Sequence, residues 1–205
     1  KLKEVPHCDT LNYYLELLSP DCLSELRKKM VTSLIRGKQF YSNRLLGKYW
    51  RVILDGTGVA CFEERHCDNC LYEKRTYKDG RKVTVYYHKV LEAKLILGDK
   101  IVVSLGTEFI ENERSDVSKQ DCETKAAKRL LERIKKEYPR LPICIQGDAM
   151  YATEPMMEIC RLNGWKYIFS HKEAQQRVLA DNYNLLSLED GKQKVLPTAY
   201  EFYPF

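Results

Sequence analysis

The stretch SDVSKQDCETKAAKRLLERIKKEYP, residues 115–139, carries the strongest helical signal in the chain. Cys122, Ala126, Leu130 and Ile134 recur on one face at α-helical spacing, and charged residues fill the other. Ser118 with Asp121 predicts a capping-box-like start, and Pro139 predicts the stop. A β-rich stretch at 50–110 precedes this helix, and the short apolar run LPICIQGDAMY at 141–151 follows it. A helix that crosses over between two strands of one sheet makes those strands parallel. The chain is therefore expected to build a mixed α/β sheet rather than an all-β one.

The rest of the pattern fits around that helix. In YWRVILDGTG, residues 49–58, the strand WRVIL delivers Asp55 to its edge, and Gly56 and Gly58 predict a sharp turn before a second strand, VACFE. A polar excursion ends in the hairpin signal KDG at 78–80. The strands at 83–97 and 101–110, joined by LGDK, complete an antiparallel meander. After the long helix, PICIQ reads as a strand ending at Asp148, Thr153 caps the helix EPMMEICRLN, Gly164 ends it, and WKYIF is a further strand. One more helix is expected at 171–181, with short strands and loops from Tyr183. At the other end, Asp9-Thr10 predicts a helix with Leu11, Tyr14, Leu15 and Leu18 on one face. Ser19-Pro20 starts a second with Leu23, Leu26, Met30 and Leu34 inward, ended by Gly37. The expected organisation is an N-terminal helical segment at 1–37, a core at 48–182 and a β-rich tail or insert at 183–205. Within the core the order is a three-strand meander, then helix, strand, helix, strand.

Composition narrows the class. With 31% charged and 44% hydrophobic residues the chain is globular rather than disordered, and no apolar run reaches the length of a membrane span. The net charge of +5 permits phosphate contact without demanding it. Of eight cysteines, Cys22, Cys122, Cys144 and Cys160 fall on expected core faces, where a thiol packs as a small hydrophobe. A secreted disulfide scaffold is shorter and richer in loops, so a reducing, cytoplasmic setting is expected.

Asp55 and Asp148 each stand at the end of a strand. An Asp-Gly pair there is ordinary turn chemistry. If the two strands are neighbours, however, the two carboxylates meet at one sheet edge, where ligands of α/β folds bind, and they repel unless a hard divalent cation lies between them. ILDGTG, TEFI followed by KQDCE, IQGDAMYAT and NGWKYIF together resemble the DDE transposases of bacterial insertion sequences, over roughly residues 5–182.

That resemblance implies a ribonuclease H-like core, with Asp55 and Asp148 as the first and second catalytic acids holding Mg²⁺ or Mn²⁺. It also implies DNA partners (transposon ends and target), a homodimer in the active assembly and a nucleoid-associated bacterial location. The family's third acid, a Glu beyond the last core strand, has only Glu173, Glu189 and Glu201 as downstream matches, none in the expected helical context. The chain is accordingly expected to stop before it and to cleave DNA poorly. Asp121 or Glu123, near the start of the long helix, is an auxiliary metal ligand in the same picture, with helix capping the plainer role for Asp121. Lys48, Arg51, Lys74, Arg75, Arg81 and Lys82 could follow DNA phosphates or simply be solvated. Two rivals stand beside the transposase: a catalytically inactive DNA-binding or zinc-knuckle module derived from one, and a ribonuclease H-like nuclease that never joins strands.

His66, Cys67 and Cys70, in HCDNC, offer metal ligands at knuckle spacing, with Cys61 or His88 as the fourth that a structural Zn²⁺ requires. The alternative is a reduced hairpin tip. His7, His88 and His171 show no triad context.

Overall fold

The computed structural model describes residues 5–170, 194–195 and 201–202. Helix α1 spans Cys8–Leu17 and begins one residue before the expected cap, with His7 Nδ1 accepting from the Asp9 amide. Helix α2, Pro20–Arg36, starts as its sequence requires: Ser19 Oγ accepts from the Asp21 amide at 3.2 Å, and Pro20 occupies the first turn, where no amide is needed. The face that α2 buries differs from the expected one. Leu23, Leu26 and Met30 are exposed, and Val31 is buried with Leu34 and Ile35 packed beside it. The helix carries two overlapping apolar stripes, and the one that turns inward is flanked by Arg27, which lies 4.0 Å from Glu137.

Strand β1, Trp50–Phe62, buries Trp50, Val52 and Leu54 on one face, the two-residue period of a strand. It does not turn at Asp55, so WRVIL and VACFE are one strand, not two. Asp55, Gly56 and Thr57 keep ladder partners in Glu92, Leu91 and Val90, and the irregularity falls later, between Gly58 and Ala60. The ladder overrides the local turn preference, and the glycines yield a bulge instead. Strand β2, Leu71–Thr76, and strand β3, Lys82–Gly98, form the expected hairpin, with Gly80 at φ +85° in its turn. Strand β4, Ile101–Ile110, returns antiparallel to β3. Strands β2 and β4 lie end to end along one edge of β3, while β1 occupies the other.

Helix α3 spans Glu123–Glu137, four residues shorter at its start than the capping-box pattern predicts. Cys122 is the N-cap and makes no side-chain cap bond. Ala126, Ala127, Leu130, Leu131 and Ile134 are fully buried against β3 and β4. Ion pairs fasten the polar edge of the helix to β4: Arg129 reaches Glu108 at 2.7 Å, and Arg133 reaches Glu108 at 2.9 Å. The crossover then delivers strand β5, Ile143–Gly147, parallel to β1. Helix α4, Glu154–Leu162, and strand β6, Lys166–Phe169, repeat the move, β6 lying parallel to β5. The result is a mixed α/β sheet of six strands in the order β2-β3-β1-β5-β6, with β4 also on β3.

Residues up to Phe169 form one compact unit. In the second, Lys194–Val195 (β7) and Glu201–Phe202 (β8) pair antiparallel. The helix expected at 171–181 lies outside the described residues. Cys144 and Cys160 are buried as expected, but Cys22 and Cys122 are exposed, because α2 presents its other face and Cys122 precedes its helix. No helix among the described residues is long and apolar enough to cross a membrane.

Burial differences of this size separate two kinds of substitution. Leu130→Ala, in the fully buried stripe of α3, is expected to cost about 2–5 kcal/mol in urea unfolding. Leu26→Ala on the outward face of α2 should stay within about 0.5 kcal/mol of the parent. Equal losses would place the outward stripe in the core after all.

Candidate functional site

The parallel ladder of β1 and β5 sets Trp50 beside Ile143 and ends with Ile53 beside Gln146. Asp55 and Asp148 each stand two residues beyond that last pair, so the register carries them to matching positions past the end of the ladder, where β5 stops and β1 runs on. Asp148 opens the loop after β5: its Oδ1 accepts from the Met150 amide at 2.9 Å, and its carbonyl accepts from the Tyr151 amide at 3.1 Å. Both aspartates are solvent-exposed.

A third carboxylate arrives from the helix. Glu123, the first residue of α3, lies directly over Gly56, and a Cβ at that position would collide with the Glu123 carboxylate. Gly56 thus leaves room for the Glu123 carboxylate and makes no turn. Glu123 Oε2 is bound by the Lys89 ammonium and Oε1 by the Tyr151 hydroxyl, which hold both oxygens. Tyr151 is 1% exposed, and its ring rests on Gly147, where a Cβ would come within 2.6 Å of Tyr151 Cδ2. Burial pushes the Tyr151 hydroxyl well above the ordinary tyrosine range. The hydrogen bond to Glu123 and the charges of Glu123, Asp148 and Asp55 push it the same way. All three acids therefore act on one buried phenol. Opposite Asp55 on β3, Glu92 accepts from Thr107 Oγ1 at 2.8 Å.

Asp121 is not the N-cap of α3, which is Cys122, and its carboxylate is bound by Arg129. Burial works to raise its carboxyl, but Arg129, at 2.7 Å and 3.2 Å, outweighs burial and holds it below the usual range. Of the downstream acids, Glu173 and Glu189 lie outside the described residues, as does His171, and Glu201 belongs to β8.

The segment after β1 builds a different kind of cluster. Cys67 Sγ and Cys70 Sγ are 3.6 Å apart, and each is 3.4 Å from His88 Nε2. His66 stays outside this group, its ring against Phe62 with centroids 3.9 Å apart, and the exposed Cys61 also stays outside. Among the described residues, the other group of three ligand-type side chains within 4.8 Å is His7, Cys8 and Asp9, consecutive and exposed at the start of α1. Asp55, Asp148 and Glu123 do not form so tight a triad.

Sequence reading located both aspartates but missed Lys89, Tyr151 and the seat of Glu123 on Gly56. The one available signal was the glycine itself, in mid-strand directly after an acid. No family model, no curated protein and no solved structure matches the chain.

The raised Tyr151 and Tyr138 hydroxyls, the latter pushed up to about 12 by burial and the Glu137 charge, give stability a defined alkaline limb. A folded-state value above the unfolded one stabilises fully below the unfolded tyrosine value of about 10, and that contribution is lost as pH rises beyond it. Tyr151→Phe is expected to cost about 1.5–3 kcal/mol near neutrality, through the lost bond to a charged acceptor. It should also make the decline above pH about 10 shallower in urea titrations across pH. An unchanged alkaline slope would mean that the phenol is not held between the acids.

Proposed function

We propose that this chain is the catalytic core of a DDE-type DNA transposase, with a ribonuclease H-like fold. Its reaction would be metal-dependent phosphodiester cleavage and strand transfer at insertion-sequence ends. The observation that carries this reading is the matched position of Asp55 and Asp148, each two residues past the end of the parallel β1–β5 ladder, with Glu123 brought in by the crossover helix. The strand order supports it too: β4, β3 and β1 antiparallel, then β5 and β6 parallel to β1.

The donor set fits a hard divalent ion, since it consists of carboxylate oxygens alone. Asp55 and Asp148 would hold Mg²⁺ or Mn²⁺ from two strands, with Glu123 as the helix-borne acid. Such an ion supplies Lewis acidity toward the attacking water or 3′-hydroxyl and toward the leaving oxygen. The chain's own residues do the positioning. Lys89 and Tyr151 restrain the Glu123 carboxylate through both oxygens, a charge-assisted arrangement that limits its rotamers. The exposed Lys74, Lys78 and Lys82 of the β2–β3 hairpin offer cations to a DNA backbone, giving salt-sensitive binding.

Metal linkage tests the site without requiring turnover. At a Mg²⁺ or Mn²⁺ concentration ten times its dissociation constant, thermal unfolding should reflect about 1.4 kcal/mol of added stability, and Asp55→Asn should abolish the gain. A melting curve indifferent to millimolar metal sinks the proposal. In a plasmid-nicking assay with Mn²⁺ the parent chain should nick slowly, as expected without the family's third acid, and Asp148→Ala should reduce that nicking to background. Metal binding with no nicking, and no variant effect on DNA products, would favour the inactive DNA-binding module instead.

A further inference from the structure

Three side chains far apart in chemistry from the acidic site converge on one point. Cys67 and Cys70 lie in the connection between β1 and β2, and His88 lies on β3 opposite Ala60. Their separations are 3.6 Å between the sulfurs and 3.4 Å from each sulfur to His88 Nε2. Ordinary hydrogen bonding explains such a triangle poorly. An imidazole nitrogen has a single in-plane site, a lone pair or a proton, and cannot serve two thiols well at once. Tetrahedral zinc explains all three edges. With thiolates at about 2.3 Å and imidazole at about 2.0 Å, it sets a sulfur–sulfur edge of about 3.8 Å and sulfur–nitrogen edges of about 3.5 Å.

We infer that Cys67 Sγ, Cys70 Sγ and His88 Nε2 form a zinc site that clasps the β1–β2 connection onto β3. Of the ligands expected from the sequence, Cys67, Cys70 and His88 come together, whereas His66 and Cys61 stay outside. The fourth tetrahedral position is left to a water molecule, since His66 is held against Phe62.

The surroundings are those of a built site. Cys70 is fully buried, and its amide closes a turn on the Cys67 carbonyl at 3.4 Å, the local fold that aims two cysteines at one ion. Asn112 is the buried polar side chain among the described residues, and it fixes the knuckle from the end of β4. Its Nδ2 donates to the Cys70 carbonyl at 2.9 Å, while Asn69 Nδ2 donates to the Asn112 carbonyl at 2.8 Å. The Asn112 Oδ1 atom also accepts from the Asp121 amide at 3.2 Å, two residues before Glu123. The clasp therefore braces the entry to α3, the helix that carries the third acid. A metal here also accounts for a short, otherwise irregular connection that buries a thiol at its end.

The full chain, purified without chelator and given zinc alone, should hold about one zinc per chain by elemental analysis. Cobalt in its place should show the intense visible bands and thiolate charge-transfer absorption of a tetrahedral sulfur site. Cys67 and Cys70 should resist alkylation until a chelator is added, as read by mass spectrometry of the labelled peptides. Cys67→Ser and His88→Ala should each reduce bound zinc to background. His88→Ala guards against a folding failure from the cysteine change, and circular dichroism confirms that each variant is folded. Absent zinc with both thiols freely alkylated, a Cys67–Cys70 disulfide in the purified protein, or full zinc retention by folded His88→Ala would each overturn the site. None of these readouts depends on Mg²⁺ or on DNA cleavage, so they stand or fall apart from the proposed activity.

Discussion

The parallel pairing of β1 with β5 is the constraint on which the rest depends. It exists because α3 crosses the sheet with one apolar face, Ala126, Ala127, Leu130, Leu131 and Ile134, buried on β3 and β4. That helix leaves β5 no option but to run alongside β1 in the same direction. The register then decides the chemistry: with Ile53 beside Gln146, Asp55 and Asp148 end up as neighbours. A slip of one residue would send alternate side chains to the wrong face and separate the two acids. The same helix start brings Glu123 onto Gly56. A single packing arrangement thus supplies all three carboxylates.

The electrostatics of that arrangement are unbalanced. Three acids act on the buried Tyr151 hydroxyl, whereas one ammonium, Lys89, binds Glu123 directly. Like charges gathered at one sheet edge cost free energy unless a cation compensates them. Lys89 offsets that cost for Glu123 and fixes its position. The exposed aspartates are stabilised by water or, in the proposed function, by a divalent ion. At the far end of β1 the chemistry is of the opposite kind, soft sulfur and nitrogen donors around a buried thiol. Two stretches of one long strand thus present different donors, hard carboxylates near its middle and soft sulfur and nitrogen near its end.

Errors of sequence reading follow a common physical cause. Asp55-Gly56 reads as a turn because local chemistry favours one, yet hydrogen bonds to β3 hold the strand straight through it. Leu23, Leu26 and Met30 read as a core face, but the neighbouring stripe with Val31 is the one the sheet receives. Ser118 and Asp121 read as a helix start, whereas Asn112 takes the Asp121 amide, Arg129 takes its carboxylate, and the helix begins later. In each case a local preference worth about a kilocalorie is outweighed by contacts with residues distant in sequence.

What the sequence determined by itself is the alternation of β-rich and helical stretches, the KDG hairpin, the Ser19-Pro20 helix start and the position of Asp148 at the end of β5. These follow from periodicity and from turn and cap chemistry, which act over a few residues and are written locally. The tertiary structure alone decided which side chains meet: Glu123 with Gly56, Lys89 and Tyr151, and His88, rather than His66, with Cys67 and Cys70. Those meetings depend on register and on the rotation of a helix about its axis. Both are set by packing across the whole sheet, and no short window of sequence encodes them.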